Sequence, residues 1–428
     1  MMIGREINSR GRRTIRVVSA LAFAVATRGQ NLLVLALLVA ATTPASVATF
    51  GAYSSLQAVA GYGLALSLPF VHGRLFFSGS PANDTDIVGQ SIIALAIVGG
   101  LYLTLAAAAS SLVGLRFGSG PTRVSLVWVT LSIFGYLASE HVVTTARVVD
   151  DSFLLLCSAA TKLVGIPTIP LLMAAPVGLN PLHAVCAYVA AVSTVIVVLG
   201  VTRQWSVYKI LRFRPKRMLH IFPFLLASSF APLCQWTMAA AGRLLVGSDR
   251  PSAGPYTLYS FGLTTVSLLC YAVYDANRSR LFGLWNPQTW TAWRAALIGT
   301  NIICASVYLS AAVFGLVFWP IWNAFFPSYH LPNAWQPYFV ATLIAGMFNG
   351  GVYWTALAAR RLSRTNVATG LGAVIFLLVL ILQSDRGSSF SYVRATAISS
   401  CVQALVGIVL LIPILVSTGK QSGRRPAF

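Results

Sequence analysis

The sequence predicts an all-α, polytopic membrane protein of about 12 transmembrane helices, arranged as two six-helix bundles related by a pseudo-twofold axis along the membrane normal. Three observations carry this. Of 428 residues, 57% are hydrophobic and 9% are charged, against roughly 45–50% and about 25% in soluble domains. The apolar residues gather into runs long enough for the ~20-residue crossing of a bilayer core. Finally, the basic residues alternate in density from one connection to the next, as they do when Lys and Arg stay on the cytoplasmic side.

Taken in order, the first run, 17–41, follows Arg5, Arg10, Arg12, Arg13 and Arg16. It looks like a signal peptide with small residues at Ala45-Ser46-Val47-Ala48, but it is too long, carries Arg28 and leads straight into 45–70. It is therefore read as a retained first helix. Run 87–113 follows Asp84-Thr85-Asp86, and run 152–176 follows Asp150-Asp151; Asp and Thr there cap free helix amides. Between them, run 124–148 contains Glu140-His141. Run 152–176 carries Lys162 and then Gly165-Ile166-Pro167-Thr168-Ile169-Pro170, which predicts a broken helix. After 182–203 comes a basic stretch (Arg203, Lys209, Arg212, Arg214, Lys216, Arg217), and then 218–246 with Pro223, Pro232 and Arg243. Runs 254–277, 295–322, 337–359, 365–383 and 393–417 complete the set. Trp285, Trp290 and Trp293, and Trp319, Trp322 and Trp335, fall near run ends, where interfacial aromatics belong.

Placing the N-terminus in the cytoplasm puts most basic residues inside, whereas Arg116, Arg123, Arg250, Arg386 and Arg394 lie outside. Both termini are then cytoplasmic. The net charge of +21 reads as a collar for anionic lipid headgroups on the cytoplasmic side, not as a nucleic-acid surface. Gly51-Ala52-Tyr53 and Arg74-Leu75-Phe76 recur as Gly254-Pro255-Tyr256 and Arg280-Leu281-Phe282. The chain thus divides into 1–203, an N-terminal six-helix bundle; 204–217, a basic cytoplasmic linker; and 218–428, a C-terminal six-helix bundle. A substrate path lies between the halves in this reading.

No nucleotide loop, metalloprotease motif or nucleophile elbow occurs; His72, His141, His183, His220 and His330 are scattered, and no metal or cofactor is expected. The six cysteines (157, 186, 234, 270, 304, 401) are isolated within apolar runs and read as packing residues. The informative residues are deep charges, each costing on the order of 2.5–3.5 kcal/mol at the bilayer centre. They are Arg28, followed by Gln30 and Asn31; Glu140 with His141; Lys162; and Arg243, with Asp275 near the end of its run. Two readings stay open. In one, Arg28 or Lys162 pairs with Glu140 as a brace and Arg243 snorkels outward. In the other, the cations line a wet cavity that receives a phosphate or diphosphate, whose oxygens suit the planar Arg fork.

Phe50-Gly51-Ala52-Tyr53 leading to Gly61-Tyr62-Gly63-Leu64 resembles the second helix of Wzx-type polysaccharide flippases. Gly242-Arg243-Leu244-Leu245-Val246-Gly247, then Gly254-Pro255-Tyr256-Thr257, resembles their seventh-to-eighth helix junction. These flippases belong to the multidrug/oligosaccharidyl-lipid/polysaccharide exporter superfamily. The resemblance implies a multi-pass protein of the bacterial cytoplasmic membrane with a central cavity opening alternately to each side. The implied substrate is an undecaprenyl-diphosphate-linked oligosaccharide, flipped for O-antigen, capsule or exopolysaccharide assembly. The implied partners are the polymerase and glycosyltransferases of the same pathway. Substrate binding is assigned to Arg28, Lys162, Arg243, Gln30 and Asn31, and ion coupling to Glu140, His141 and Asp275. Many relatives carry an acid before the junction Arg, where this chain has Gly242; drug exporters often have an acid in the first helix, where it has Arg28. The alternative is a polytopic glycosyltransferase acting on lipid-linked sugars. It calls for a sizeable outer loop, and the outer connections here are short.

Overall fold

The computed structural model describes residues 30, 33–59, 85–112, 114–118, 123–148, 151–174, 180–204, parts of 230–246, 251–283, 290–358, 362–383 and 388–417. Within them the protein is all-α. Its helices are α1 (Pro44–Val59), α2 (Thr85–Leu112), α3 (Leu126–Val148), α4 (Ser152–Ala174), α5 (Pro181–Arg203), α6 (Ala253–Gly283), α7 (Trp290–Phe325), α8 (Gln336–Ala358), α9 (Leu362–Leu382) and α10 (Ser389–Ser417). One departure from pure helix is a two-residue antiparallel pair, β1 (Arg116–Phe117) with β2 (Val124–Ser125), in the α2–α3 connection. It follows Gly114 at φ 68°, a left-handed position that suits glycine.

Among the described residues, seven helices are long and apolar enough to cross a membrane. Their outer faces say what surrounds them: Ile302, Leu309, Val313, Phe314 and Val317 of α7 are all exposed. A continuous apolar face of that kind is untenable in water and natural in acyl chains. The protein is a multi-pass membrane protein.

Several helix ends follow from local chemistry. The helical residues 33–41 stop at Thr42, and α1 restarts after Thr43, whose hydroxyl accepts from the Ser46 amide, with Pro44 as first residue. Asp151 caps α4, its Oδ1 accepting from the Leu154 amide at 3.2 Å. The same carboxylate binds Arg203 through Nε at 3.0 Å and an Nη at 3.3 Å, tying the start of α4 to the end of α5. Asp84 and the basic stretch 205–217 lie outside the described residues.

One sequence expectation needs correction. Helix α4 is not broken: it runs unbroken through Pro167 and Pro170. Each proline deletes one backbone donor, and the bonds on either side hold the turn together. The tryptophans at the end of α7 and in the turn after it stand near helix ends, but two of them turn into the protein. Trp319 and Trp335 are buried, at 5% and 3% exposure. The chain between α7 and α8 folds back, so Trp319 donates to Leu331 O at 3.2 Å, Trp322 to Tyr329 O at 3.1 Å and Asn323 to Leu331 O at 2.8 Å. The indoles staple a turn.

Contacts divide the chain into two compact units, Met1–Ser229 with Ser248–Gly254, and Phe230–Gly247 with Pro255–Phe428. In the first, α3 is the central helix, packed against α2, α4 and α5. Its core joins Val142, Val143 and Ala146 of α3 to Leu154, Leu155 and Ile196. In the second, α8 and α10 pack together, with α7 and α9 against α8 and α9 against α10. Its core includes Tyr274, Tyr308, Leu343 and Trp354. All six cysteines are free, and Cys270 and Cys304 lie face to face, each thiol 3.7 Å from the other's carbonyl.

The α3–α5 seam depends on Gly200, where an added Cβ would lie 1.9 Å from Val142 Cγ1 and 3.2 Å from Leu154 Cδ2. Gly200→Ala is expected to destabilise the fold by about 1–3 kcal/mol, read as a lower thermal midpoint in detergent. Gly100→Ala, which would meet open space, should not lower it.

Candidate functional site

The structure brings some of the expected charges together and leaves one with no ion-pair partner among the described residues. In the first unit, α3 presents Glu140 and α4 presents Lys162, and the two form an ion pair. Their side chains are 17% and 10% exposed, so each depends on the other for its charge to persist. Of the two arrangements open to Lys162, it therefore takes the paired one. His141 beside Glu140 is fully buried. One turn along α4 from Lys162 stands Gly165, where an added Cβ would lie 2.8 Å from Gln30 Nε2 and 3.4 Å from the Tyr188 hydroxyl. Glycine here is what lets the Gln30 amide approach α4. Gln30, Glu140 and Lys162 thus share one region of the first unit. Arg28 and Asn31 lie outside the described residues. Asp275 sits on α6, and nothing of its side chain is described.

Arg243 belongs to the second unit and behaves differently. It is 5% exposed, so it does not snorkel to an interface. Its guanidinium lies 4.6 Å from the centre of the Phe261 ring, a cation–π contact, and its Nε is buried with no hydrogen-bond partner among the described residues. Among the described residues no carboxylate forms an ion pair with it.

The neighbour Gly242 explains why no acid precedes this arginine. An added Cβ at 242 would lie 1.9 Å from the Tyr256 hydroxyl oxygen, so the tyrosine fills the space an acidic side chain would need. The two stretches that carry the junction resemblance, around Gly242-Arg243 and around Gly254-Pro255-Tyr256, are therefore in contact.

Sequence reasoning missed a cavity of about 150 Å³ inside the second unit, whose walls include Tyr259, Tyr274, Tyr308, Asn349, Trp354 and Gln403. Among the described residues no Asp, Glu, Lys, Arg or His lines it. A search for charges passes over such a site. The signal was present as uncharged polar residues set singly inside apolar runs, such as Asn349 on α8 and Gln403 on α10.

No protein-family model matches this sequence, and no curated protein matches it. Solved structures do match its fold. One is the outward-facing conformation of a multidrug resistance MATE family transporter of the MOP superfamily, at 14% identity and TM-score 0.62 over 96% of this chain and 97% of that one. An inward-facing conformation of such a transporter matches at 14% identity and TM-score 0.57, over 92% and 96%. A MOP superfamily transporter from Pyrococcus furiosus, described as having a binding pocket of reverse polarity, matches at 12% identity and TM-score 0.54, over 96% and 94%. Across nearly its whole length, then, this all-helical membrane chain has the fold of the MATE transporters of the MOP superfamily.

Proposed function

We propose that this protein is a transporter that moves an undecaprenyl-diphosphate-linked oligosaccharide from the inner to the outer leaflet of a bacterial cytoplasmic membrane, for O-antigen, capsule or exopolysaccharide assembly. The observation that carries this reading is Arg243, a buried guanidinium with an unsatisfied Nε and no partner acid among the described residues. Burying a cation without compensation is costly, and such a group is kept where an anion visits. A diphosphate matches it in charge and in geometry.

The fold supports transport by alternating access, because it is shared with transporters solved in both inward- and outward-facing conformations. The Pyrococcus furiosus protein, with its pocket of reverse polarity, supports the idea that one fold holds pockets of different polarity. In this mechanism Arg243, with Arg28, holds the diphosphate. Lys162 is held by Glu140 and joins when the anion exchanges for the carboxylate. Glu140, His141 and Asp275 are the coupling residues, and Gln30 and Asn31 are polar groups that bind the cargo. The cargo drives a cycle only through a difference in affinity between the two states. The glycosyltransferases and the polymerase of the pathway supply and consume the cargo.

The test is vesicles carrying the purified protein and a fluorescent lipid-linked oligosaccharide in one leaflet. The expected result is accelerated appearance of label in the opposite leaflet. Movement no faster than in empty vesicles overturns the reading, and growth of the sugar chain on the lipid assigns the glycosyltransferase alternative instead.

A further inference from the structure

The second unit's cavity has a chemistry unlike that of Arg243. Its described lining holds four tyrosines (Tyr256, Tyr259, Tyr274, Tyr308), Trp354, and hydroxyl and amide groups from Ser, Thr, Asn and Gln, with no charge of either sign. A bare phosphate gains nothing there, because no cation meets it. An ammonium finds no carboxylate. What the wall offers is aromatic faces and uncharged donors and acceptors. Trp354 and Tyr274 lie flat together at 4.7 Å and 15°, presenting an extended apolar surface. The Tyr308 hydroxyl donates to Ser267 Oγ at 3.2 Å, leaving its lone pairs as acceptors. Asn349 spends its amide NH₂ on Ser400 O at 3.1 Å, while its Oδ1 is buried with no partner among the described residues. A buried acceptor left unpaired calls for a visiting O–H or N–H donor.

Size narrows the class. A space of about 150 Å³ is of the order that accommodates a single six-membered ring. A saturated ring with apolar C–H faces and a rim of hydroxyls fits such a wall, faces against aromatics and hydroxyls toward Asn349 and Gln403. We infer that this cavity binds one uncharged sugar ring of the cargo. The inference rests on the lipid-linked oligosaccharide reading and extends it. Tyr256 connects the two chemistries: it lines the cavity and its hydroxyl packs on Gly242, beside Arg243. A phosphate at Arg243 therefore places the sugar attached to it next to the cavity wall.

The experiment measures binding by purified protein of undecaprenyl diphosphate bearing one N-acetylhexosamine, against undecaprenyl diphosphate alone. The sugar-bearing lipid is expected to bind at least about tenfold tighter, since hydroxyl recognition by buried polar groups discriminates strongly. Gln403→Met is expected to abolish that advantage while leaving affinity for the bare lipid unchanged. Thr264→Val, a milder change in the same wall, should reduce it and keeps the test usable if Gln403→Met does not fold. An unchanged preference in a folded variant overturns the inference. So does tetraethylammonium binding that the variants weaken, which would make the cavity an aromatic cation cage. If neither lipid binds, the lipid-linked reading fails on its own. Quenching or enhancement of tryptophan fluorescence by a free methyl glycoside, lost in Gln403→Met, then decides the cavity separately, and no response overturns it.

Discussion

Replacing Arg243 by Gln is expected to abolish measurable flipping of a lipid-linked oligosaccharide while leaving the protein folded. Arg243 is 5% exposed, stacks on Phe261 at 4.6 Å and leaves its Nε unsatisfied among the described residues. Removing one member of a buried charge pair lowers affinity by about 2–5 kcal/mol, or roughly 30- to 5000-fold. If the anion completes such a pair at Arg243, the loss should appear in binding of undecaprenyl diphosphate as well as in flipping. Gln removes the charge and keeps a polar end in a smaller side chain, and because no carboxylate among the described residues pairs with Arg243, none of them is left an orphan. The folded state should therefore be unharmed or slightly firmer, since a buried charge has been removed. Arg243→Lys keeps the charge but loses the planar fork, and should recover only part of the affinity. Titration of the labelled lipid with each variant, beside a thermal unfolding curve, makes the check. Wild-type binding by Arg243→Gln would assign the arginine to packing on Phe261 alone.

The opposite pattern is expected for Glu140. Glu140→Gln leaves Lys162, 10% exposed, without its counter-charge. Breaking a buried pair from one side costs about 3–5 kcal/mol, whereas replacing both members with uncharged groups of similar volume is close to neutral. The single variant should unfold at a markedly lower temperature, and the Glu140→Gln, Lys162→Met double variant should recover most of the loss. A thiol-reactive fluorophore reports the unfolding through Cys186 of α5, which lies in the same unit and is fully buried until its helices separate. The double variant also separates bracing from coupling. If Glu140 carries the coupling ion, the double variant stays folded but its transport ceases to respond to a pH gradient. Retained gradient dependence would make the pair a brace only.

What could be read from the chain follows the length scale of the physics involved. The bilayer acts residue by residue on composition, so helix positions were legible. Run 182–203 became Pro181–Arg203, and run 124–148 became Leu126–Val148. Local capping was legible for the same reason, because Asp151 lies three residues from the amide it satisfies. The small hairpin at Arg116–Ser125 and the fold-back turn at 326–335 were not, since a few distant hydrogen bonds decide them.

The sequence by itself determined that this is an all-helical, multi-pass membrane chain with a few ionisable groups buried in its spans. The cost of burying each residue in lipid depends on that residue alone, and composition is enough to compute it. Only the tertiary structure decided what those groups meet. It paired Lys162 with Glu140 across two helices, left Arg243 against an aromatic ring, and set Tyr256 in the space beside Gly242. It also gathered uncharged side chains from α6, α7, α8 and α10 around one cavity. Whether a buried charge is a brace or a binding group depends on its partner within a few ångströms, and helix packing alone chooses that partner.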